Sequence, residues 1–268
     1  MTPSQKTRIG VAGYGFIGRE LCRLIRNTPE WNLELAFVWN RDPAKLAELP
    51  PELPLADLDQ LASRAPDLVV ECAHPSVTAN HGVAILNAAD YLPLSVNAFA
   101  DPLIEVWMIA LAKSRGRRII IPHGALIGLD NLVEMRDMWR DVTITFRKNP
   151  ANIDFTDSPI DPALITGKTV IYDGPARGIA ALFPRNVNTM TTCALATIGL
   201  DRCRAVLIAD PALSVAIAEV RAVGKDGSLH ESRKVQPVVG VSGTEMLAAQ
   251  VGSMLRAAGV AQPGLSFA

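Results

Sequence analysis

The sequence predicts an α/β protein in which a doubly wound parallel sheet is joined to a second α+β domain with a mainly antiparallel sheet. Three observations lead to this fold class. Strand-like and helix-like segments alternate over about the first 120 residues, which is typical of parallel strands covered by helices. After Pro122, apolar and polar residues alternate in period two, which indicates antiparallel strands with one exposed face. The last part of the chain has the spacing of an amphipathic helix.

The first domain is predicted to contain five short strands and three helices. The helix predicted over 16–27 places Leu21 and Ile25 on one face. The strand predicted over 67–73 (DLVVECA) is apolar almost throughout, so we expect it to be covered on both faces. The predicted strands are 8–12, 33–39, 67–73, 92–96 and 118–121, and the predicted helices are 16–27, 78–89 and 102–114.

The second domain is predicted from strands with period-two patterning. These strands are 141–149, 168–174, 204–210 and 216–224, followed by the polar–apolar stretch SLHESRKVQPVVG. A helix over 188–198 interrupts them, and a helix over 244–258 follows them. We therefore predict a first domain of residues 1–121 plus the segment 244–268, and a second domain of residues 122–243.

Composition and charge argue against several classes of function. The chain has 268 residues and 28.7 kDa, enough for one large hydrophobic core or two smaller ones. A net charge of -1 and a pI near 6.4 provide no basic surface for nucleic acid or an anionic membrane. The N-terminus lacks the apolar segment of a signal peptide, and no stretch is long enough to span a membrane, so we expect a cytoplasmic protein. The four cysteines are far apart without a CxxC pair, so we expect reduced thiols and no metal site.

The strongest local motif is GYGFIG at residues 13–18, a GxGxxG pattern that follows a predicted strand and opens a predicted helix. In this context the pattern predicts a Rossmann-type dinucleotide-binding site, and a tight turn without a ligand is the alternative. Gly13 allows the turn, Gly15 lets the backbone approach a pyrophosphate, and Gly18 lets the helix pack on the strand. Backbone N–H groups and the positive end of the helix then face the phosphates. The candidate cofactor-binding residues of this loop are Gly13, Tyr14, Gly15, Phe16, Ile17 and Gly18.

The residues that end the second predicted strand bear on the choice of cofactor. NAD-dependent enzymes usually place Asp or Glu there, where it accepts the ribose hydroxyls. Here the corner reads VWNRDPAK, with Asn40 and Arg41 at the end of the strand. Arg41 can pair with a 2′-phosphate, and Lys45 is a candidate second cation. Asp42 can serve the ribose if the strand ends later, and a solvated surface role is the alternative for Arg41. NADP(H) is favoured over NAD(H), and dual use stays open.

Two further loops are expected to face the nicotinamide, because ligands bind outside the carboxyl ends of parallel strands. CAHPSV follows the third predicted strand and contributes Ala73, His74 and Pro75. PHGALIG follows the last parallel strand and contributes His123. For both histidines a structural or cofactor-packing role is favoured over catalysis.

Five motifs together resemble the L-aspartate dehydrogenase family. They are GYGFIG, the WNRDP corner, VECAHP, HGALIGLD and the block GPAR…FPRNVN, and the similarity covers nearly the whole chain. The resemblance implies a Rossmann domain followed by an α/β catalytic and dimerisation domain, associated as a homodimer. It also implies interconversion of L-aspartate and iminosuccinate, hence oxaloacetate and ammonia, with NAD or NADP. Some members act at the start of NAD biosynthesis.

The resemblance assigns two further cofactor contacts. Ala125, in the HGA step, matches a backbone contact to the nicotinamide side of the cofactor, and Asn188, in FPRNVN, matches a cofactor-contacting asparagine. Asn188 also lies at the start of a predicted helix, so helix capping is an alternative reason for an asparagine there.

The segment IADPALSVAIAEVRA, residues 208–222, departs from the family pattern. In the family a catalytic His follows the ADP step, and the corresponding residue here is Ala218. A methyl group cannot transfer a proton, so general acid–base catalysis by this position, typically about 10²–10⁴-fold, is absent. The chain is then an engineered variant, a natural branch that uses another group, or a protein that keeps the cofactor site without turnover.

Three residues are candidate substitutes for the missing imidazole: Lys148, His123 and His230, with ordered water as a further option. His230, in GSLHESRK, is more simply a surface residue near a turn, whereas Lys148 follows a strand and can bind a carboxylate or donate a proton. The two carboxylates of an aspartate-like substrate need cationic partners. The candidates for that role are Lys148, Arg177 and Arg185, each with a surface or structural role as the alternative.

The sequence therefore predicts an NAD(P)-dependent oxidoreductase that acts on an amino acid or its imine, with aspartate as the leading substrate. No nucleic-acid or membrane partner and no metal are expected. A reductase of another imine or keto acid is the second enzymatic hypothesis. A cofactor-binding homologue without turnover is the third, and Ala218 keeps it open.

Overall fold

The computed structural model describes residues 5–124, 126–239, 242–243 and 246–260. The chain divides into two compact units. The first comprises Met1–Ala98, Pro102–Pro122 and Gln250–Ala268, and the second comprises Phe99–Asp101 and His123–Ala249. Each unit has its own hydrophobic core.

Where the sequence predicts a strand or helix that the structure contains, its observed first and last residues lie within three residues of the predicted bounds. The strands are β1 (Thr7–Ala12), β2 (Leu33–Trp39), β3 (Leu68–Glu71), β4 (Asp90–Pro93), β5 (Trp139–Lys148), β6 (Thr169–Pro175), β7 (Arg204–Ala209), β8 (Ala216–Gly224), β9 (Leu229–Gln236), β10 (Val238–Val239) and β11 (Ser242–Gly243). The helices are α1 (Phe16–Asn27), α2 (Pro75–Ala88), α3 (Pro102–Arg115), α4 (Leu129–Glu134), α5 (Ala176–Leu182), α6 (Asn188–Ala196) and α7 (Met246–Ala257). Sequence reasoning missed α4 and α5, which are the two shortest helices.

The sheet of the first unit has four parallel strands in the order β2-β1-β3-β4, which confirms the predicted parallel sheet. Every residue of β3 is buried, as expected for a strand covered on both faces. Leu21 and Ile25 of α1 pack into the core of this unit. Met254 and Ala257 of α7 belong to the same core, so the last described helix packs on the first sheet.

The strand predicted over 118–121 is wrong. That segment forms a single parallel bridge, between Ile119 and Tyr91. The Tyr91 N–H donates to the carbonyl of Arg118, and the Ile120 N–H donates to the carbonyl of Tyr91. The pairing stops there because the next two donors in the ladder would be Pro93, the last residue of β4, and Pro122, and neither has an N–H.

The sheet of the second unit has the order β6-β7-β5-β8-β9. β5 and β7 are parallel, and the other neighbours are antiparallel, which confirms the predicted mainly antiparallel sheet. One face packs on α4, α5 and α6 and forms the second core, with Ile144, Leu207 and Val220 among its buried side chains. We call this the covered face. The opposite, open face carries polar side chains, including Thr145 and Glu219.

Among the helices of the described residues, none is both long and apolar enough to cross a membrane. All four cysteines are free thiols, and Cys22, Cys193 and Cys203 are buried.

Candidate functional site

The glycine-rich loop between β1 and α1 turns at Gly13. Its φ is +118°, a backbone conformation that residues with a side chain rarely adopt. A Cβ atom there would lie 2.8 Å from the carbonyl oxygen of Cys72. The Cys72 thiol donates a hydrogen bond to the Gly13 carbonyl at 3.2 Å, so the loop after β3 closes directly on this turn.

Gly18 and Gly15 are glycines for different reasons. A Cβ atom on Gly18 would lie 2.0 Å from the Gly13 carbonyl oxygen, so the packing of α1 on the loop requires a glycine. A Cβ atom on Gly15 would have no protein atom within 4 Å. Gly15 is also the N-cap of α1, and no side chain caps this helix. The loop thus presents uncapped backbone N–H groups to open space, a setting that fits a pyrophosphate.

The other residues of the loop differ in where their side chains lie. Tyr14 is only 6% exposed and packs into the first core, where the Arg19 guanidinium lies 5.4 Å from its ring centroid. Ile17 packs against the same core, whereas Phe16 is 71% exposed. The Tyr14 side chain is therefore not available to a ligand, and its N–H already donates a hydrogen bond to Asn40.

The corner after β2 is organised by Asn40. Its Oδ1 accepts a hydrogen bond from the Tyr14 N–H at 3.3 Å, and its Nδ2 donates to the Asp42 carbonyl at 2.9 Å. The Asp42 carboxylate accepts from the Ala44 N–H at 3.1 Å and caps a short helix. Arg41 is exposed, and in the part of the chain that the structure describes its guanidinium makes no hydrogen bond or ion pair. The Asp42 carboxylate is thus occupied by the Ala44 N–H, and the neighbouring Arg41 guanidinium is available to a ligand.

Sequence reasoning missed Glu71, which holds the loop after β3. Its fully buried carboxylate accepts hydrogen bonds from the Ala73 N–H at 2.7 Å, the Ser95 N–H at 3.0 Å and the Ser95 hydroxyl at 2.9 Å. Burial raises the pKa of Glu71, and these hydrogen bonds oppose the rise. The signal in the sequence is a carboxylate inside the apolar stretch DLVVECA, where an acid needs partners.

His74 caps α2 with its imidazole. Nδ1 accepts a hydrogen bond from the Ser76 N–H at 3.2 Å and lies 3.0 Å from the Ser76 hydroxyl, and Pro75 is the first residue of the helix. With Nδ1 as acceptor, the proton of the neutral ring lies on Nε2. His74 and Pro75 therefore shape the end of the loop that Glu71 holds.

In the second unit, Lys148 is the last residue of β5 and is only 7% exposed. Burial lowers the pKa of its ammonium group to about 8. Its Nζ lies 5.5 Å from the centroid of the Phe146 ring, so both side chains lie on the covered face. A lysine with this pKa can hold or release a proton close to neutral pH.

Ala218 lies on β8 between two residues that the register sets directly opposite it. These are Phe146 of β5 on one side and Lys234 of β9 on the other. Residues opposite each other in a sheet share a face, and Lys148 lies two residues beyond Phe146 on that face. The structure therefore brings Lys148 and Ala218 together as diagonal neighbours.

The start of α6 fixes the loop that follows Lys148. Asn186, which sequence reasoning missed, is buried; it accepts a hydrogen bond from the Asp154 N–H at 2.9 Å and donates to the Asn152 carbonyl at 3.2 Å. Arg185 is exposed and lies 3.2 Å from the carboxylate of Asp154. Both residues belong to the FPRNVN block, which is the signal that points to Asn186.

Asn188 is the first residue of α6, and the N-cap position belongs to Val187, which forms no side-chain cap. The capping alternative for Asn188 is therefore not supported.

Arg177 lies away from Lys148 and Ala218. Its guanidinium pairs with both carboxylate oxygens of Asp201, at 2.6 and 2.7 Å. Arg177 follows the end of β6 that pairs with the start of β7, whereas Lys148 pairs with Ala209 at the end of β7. The length of β7, about 17 Å, separates these two ends.

His230 pairs with Ala222 on β8, which is about 13 Å along the strand from Ala218. Its ring packs against Trp139, with 6.3 Å between the ring centroids. The structure therefore does not bring His230 together with Ala218.

His123 contacts an acidic side chain, with its Nε2 3.3 Å from the carboxylate of Asp130. Ala125, the predicted contact to the nicotinamide side, lies outside the described residues. Within the described ranges, no group of three or more His, Cys, Asp or Glu side chains could hold a metal ion.

Two family models match the chain, one over each part. The model described as aspartate dehydrogenase, C-terminal, matches residues 130–256. The model described as homoserine dehydrogenase, NAD binding domain, matches residues 13–122.

Similar proteins cover most of this chain and of their own length. An aspartate dehydrogenase domain-containing protein of Xenopus tropicalis is 36% identical over 221 residues, which are 80% of this chain and 78% of that protein. An L-aspartate dehydrogenase of Methanococcoides burtonii is 34% identical over 231 residues, covering 82% and 84%. A crystal structure of aspartate dehydrogenase from Thermotoga maritima matches with a TM-score of 0.75 at 26% identity, covering 98% of this chain and 99% of that one.

Proposed function

Because this chain belongs to the aspartate dehydrogenase family and is an NAD(P)-dependent oxidoreductase, we propose that it interconverts L-aspartate and iminosuccinate by hydride transfer. The observation that carries the proposal is that the similarity extends over both units, with matches to residues 13–122 and 130–256. Hydrolysis of iminosuccinate by water gives oxaloacetate and ammonia, and the reverse condensation of these two releases water and forms iminosuccinate.

The first unit holds the dinucleotide in this proposal. The uncapped N–H groups at the start of α1, from Gly15 to Gly18, bind the pyrophosphate, and Gly15 leaves room for its approach. The exposed guanidinium of Arg41 pairs with a 2′-phosphate, while the Asp42 carboxylate is engaged in capping, so NADP(H) is favoured over NAD(H). The bound nicotinamide supplies or accepts the hydride.

Lys148 supplies the proton in the second unit. In the reductive direction the imine carbon gains a hydride and the imine nitrogen gains a proton, which gives the amine of aspartate. The Lys148 ammonium is a suitable donor, because burial lowers its pKa to about 8 and because it lies diagonally beside Ala218. In the oxidative direction the neutral Lys148 amine takes the proton from the substrate ammonium.

Arg185 is the proposed partner for a substrate carboxylate. It is exposed, and it lies beside the loop that follows Lys148 through its contact with Asp154. Arg177 is less suited to this role, because its guanidinium already pairs with both oxygens of Asp201.

The homodimer is proposed on the open face of the second sheet. That face carries positive and negative side chains that form ion pairs between neighbouring strands, such as Arg147 with Glu219 at 3.0 Å and Arg221 with Glu231 at 3.3 Å. A surface with balanced charges can be complementary to itself across a two-fold axis. Light scattering after size-exclusion chromatography measures the mass; a monomeric mass at all concentrations contradicts the dimer.

Turnover with oxaloacetate, ammonia and either NADPH or NADH tests the proposed function through the nicotinamide absorbance. We expect the parent protein to turn over, and Lys148→Met to lower kcat by about 10²–10⁴-fold. If the parent is inert and Ala218→His turns over, the site is one that lacks its proton-transfer group. If the parent and Ala218→His both bind NADPH and neither of them turns over, the protein is better described as a cofactor-binding homologue without turnover.

A further inference from the structure

Two small residues, Ala216 and Ala218, lie side by side on the covered face of β8, at the end of the sheet where β5 ends. We call these two residues the alanine floor. Phe146 and Lys148 of β5 border the floor on one side. Side chains on the two neighbouring strands are larger, so the floor is lower than its borders.

The other border of the floor is formed by β9, and sequence reasoning did not single out any residue there except His230. The register sets Lys234 directly opposite Ala218 and Gln236 directly opposite Ala216. β9 alternates between exposed and half-buried residues, and Lys234 and Gln236 are both half-buried. Their side chains therefore lie on the covered face, over the alanine floor.

Gln236 has an unsatisfied polar atom at this place. Its side-chain oxygen is buried and has no hydrogen-bond partner among the described residues. A buried acceptor without a donor costs free energy unless a bound molecule or water supplies the donor. Lys148 lies across the floor from Gln236. An amine or imine nitrogen above Ala216 would therefore have the Lys148 ammonium group on one side and the Gln236 side-chain oxygen on the other.

We propose that Lys234 and Gln236 are substrate-binding residues: Gln236 accepts a hydrogen bond from the substrate nitrogen, and Lys234 binds the distal carboxylate above Ala218. This inference rests on the proposed function and deepens it. Lys234 then determines specificity for dicarboxylic over monocarboxylic 2-oxo acids. The methyl group of Ala218 matters here, because a larger side chain at that position would occupy the space through which the lysine reaches over the floor.

The test compares oxaloacetate with pyruvate as the 2-oxo acid, in the presence of ammonia and NADPH. For Lys234→Met we expect KM for oxaloacetate to increase about 10- to 100-fold, because a charge-assisted hydrogen bond is lost. The constants for pyruvate should change by less than about twofold, and Lys234→Arg should retain most of the preference. A purely structural role of Lys234 would affect both substrates equally, so equal effects or no effect overturn the proposal.

Controls separate this proposal from the fold and from the proposed function. Lys168→Met removes an exposed lysine of the same unit and should change neither KM. The NADPH dissociation constant, measured by fluorescence, should be unchanged in all variants. Lys234→Gln is a second variant without the charge, and it is expected to fold as well as Lys234→Met because β9 is an edge strand. If neither the parent nor any variant turns over, succinate is titrated into the NADP⁺ complex of each protein by calorimetry. Succinate binding to the parent that is lost in Lys234→Met supports the proposal. Equal binding to the two proteins, or no binding to the parent, overturns it.

Discussion

Replacing Lys148 with methionine is expected to stabilise the second unit while it removes the proposed proton group. Lys148 is only 7% exposed, and burial lowers its pKa from 10.5 to about 8. That fall corresponds to about 3 kcal/mol by which the folded state disfavours the charged lysine at neutral pH. Methionine has a similar length, carries no charge and can place its thioether beside the Phe146 ring, where the Lys148 ammonium group now lies.

The pH dependence of this effect follows from the direction of the pKa shift. Between about pH 8 and pH 10.5 the unfolded chain holds a proton on Lys148 that the folded chain has released. The cost of burying the charge is thus fully present below about pH 8 and disappears as the pH rises to 10.5. The stability gained by Lys148→Met should therefore be about 3 kcal/mol at pH 7 and fall towards zero near pH 10.5.

Urea unfolding of the parent and of Lys148→Met, followed by circular dichroism at several pH values, measures this difference. Both proteins are compared on the same transition, because a chain of two units need not unfold in one step. Lys168→Met, which removes an exposed lysine, should show a difference close to zero at every pH. The reasoning is refuted if Lys148→Met is less stable than the parent at pH 7, or if its gain is the same at pH 7 and pH 10.5.

Four further substitutions in the first unit test its loops, and a fifth, on the surface of α3, serves as a control. Gly15→Ala should leave the melting temperature unchanged and weaken NADPH binding at least about tenfold. Gly18→Ala should lower the melting temperature, because its Cβ would lie 2.0 Å from a carbonyl oxygen. Equal melting temperatures for the two variants contradict this reasoning. Arg41→Gln should lower kcat/KM with NADPH about tenfold and leave NADH unaffected, while Arg115→Gln on the surface of α3 should alter neither. Glu71→Gln should destabilise the protein by about 1–3 kcal/mol in thermal unfolding, because an amide cannot accept all the hydrogen bonds of the buried carboxylate; an unchanged melting temperature argues against this role.

Elements whose pattern is local could be predicted from the sequence with good accuracy. The predicted bounds 16–27, 33–39 and 216–224 are those of α1, β2 and β8. Each of these segments has enough residues for its apolar period to be recognised, and the glycine loop has a motif with a physical reason for each glycine. The segment 118–121 failed as a strand because its pairing depends on the short neighbour β4, which its own sequence does not reveal.

The second half of the candidate site could not be predicted in the same way, because it depends on register. Lys234 becomes relevant only when the β8–β9 hairpin sets it opposite Ala218, and Lys148 is 70 residues away from Ala218 in the chain. A shift of one residue in either pairing would turn these side chains to the open face. Glu71 was hidden for another reason: an acid in an apolar strand is recognisable, but its partner Ser95 belongs to a different segment.

The packing of α7 on the first sheet has a consequence for how the protein is made. Met254 and Ala257 complete the core that β1 and α1 begin, and the whole second unit lies between them in the chain. A ribosome that has finished α3 must add more than a hundred residues before α7 emerges, which takes on the order of ten seconds. The nucleotide-binding unit is therefore first to be translated and last to be completed, and during that interval its nascent sheet exposes an apolar surface that α7 later covers.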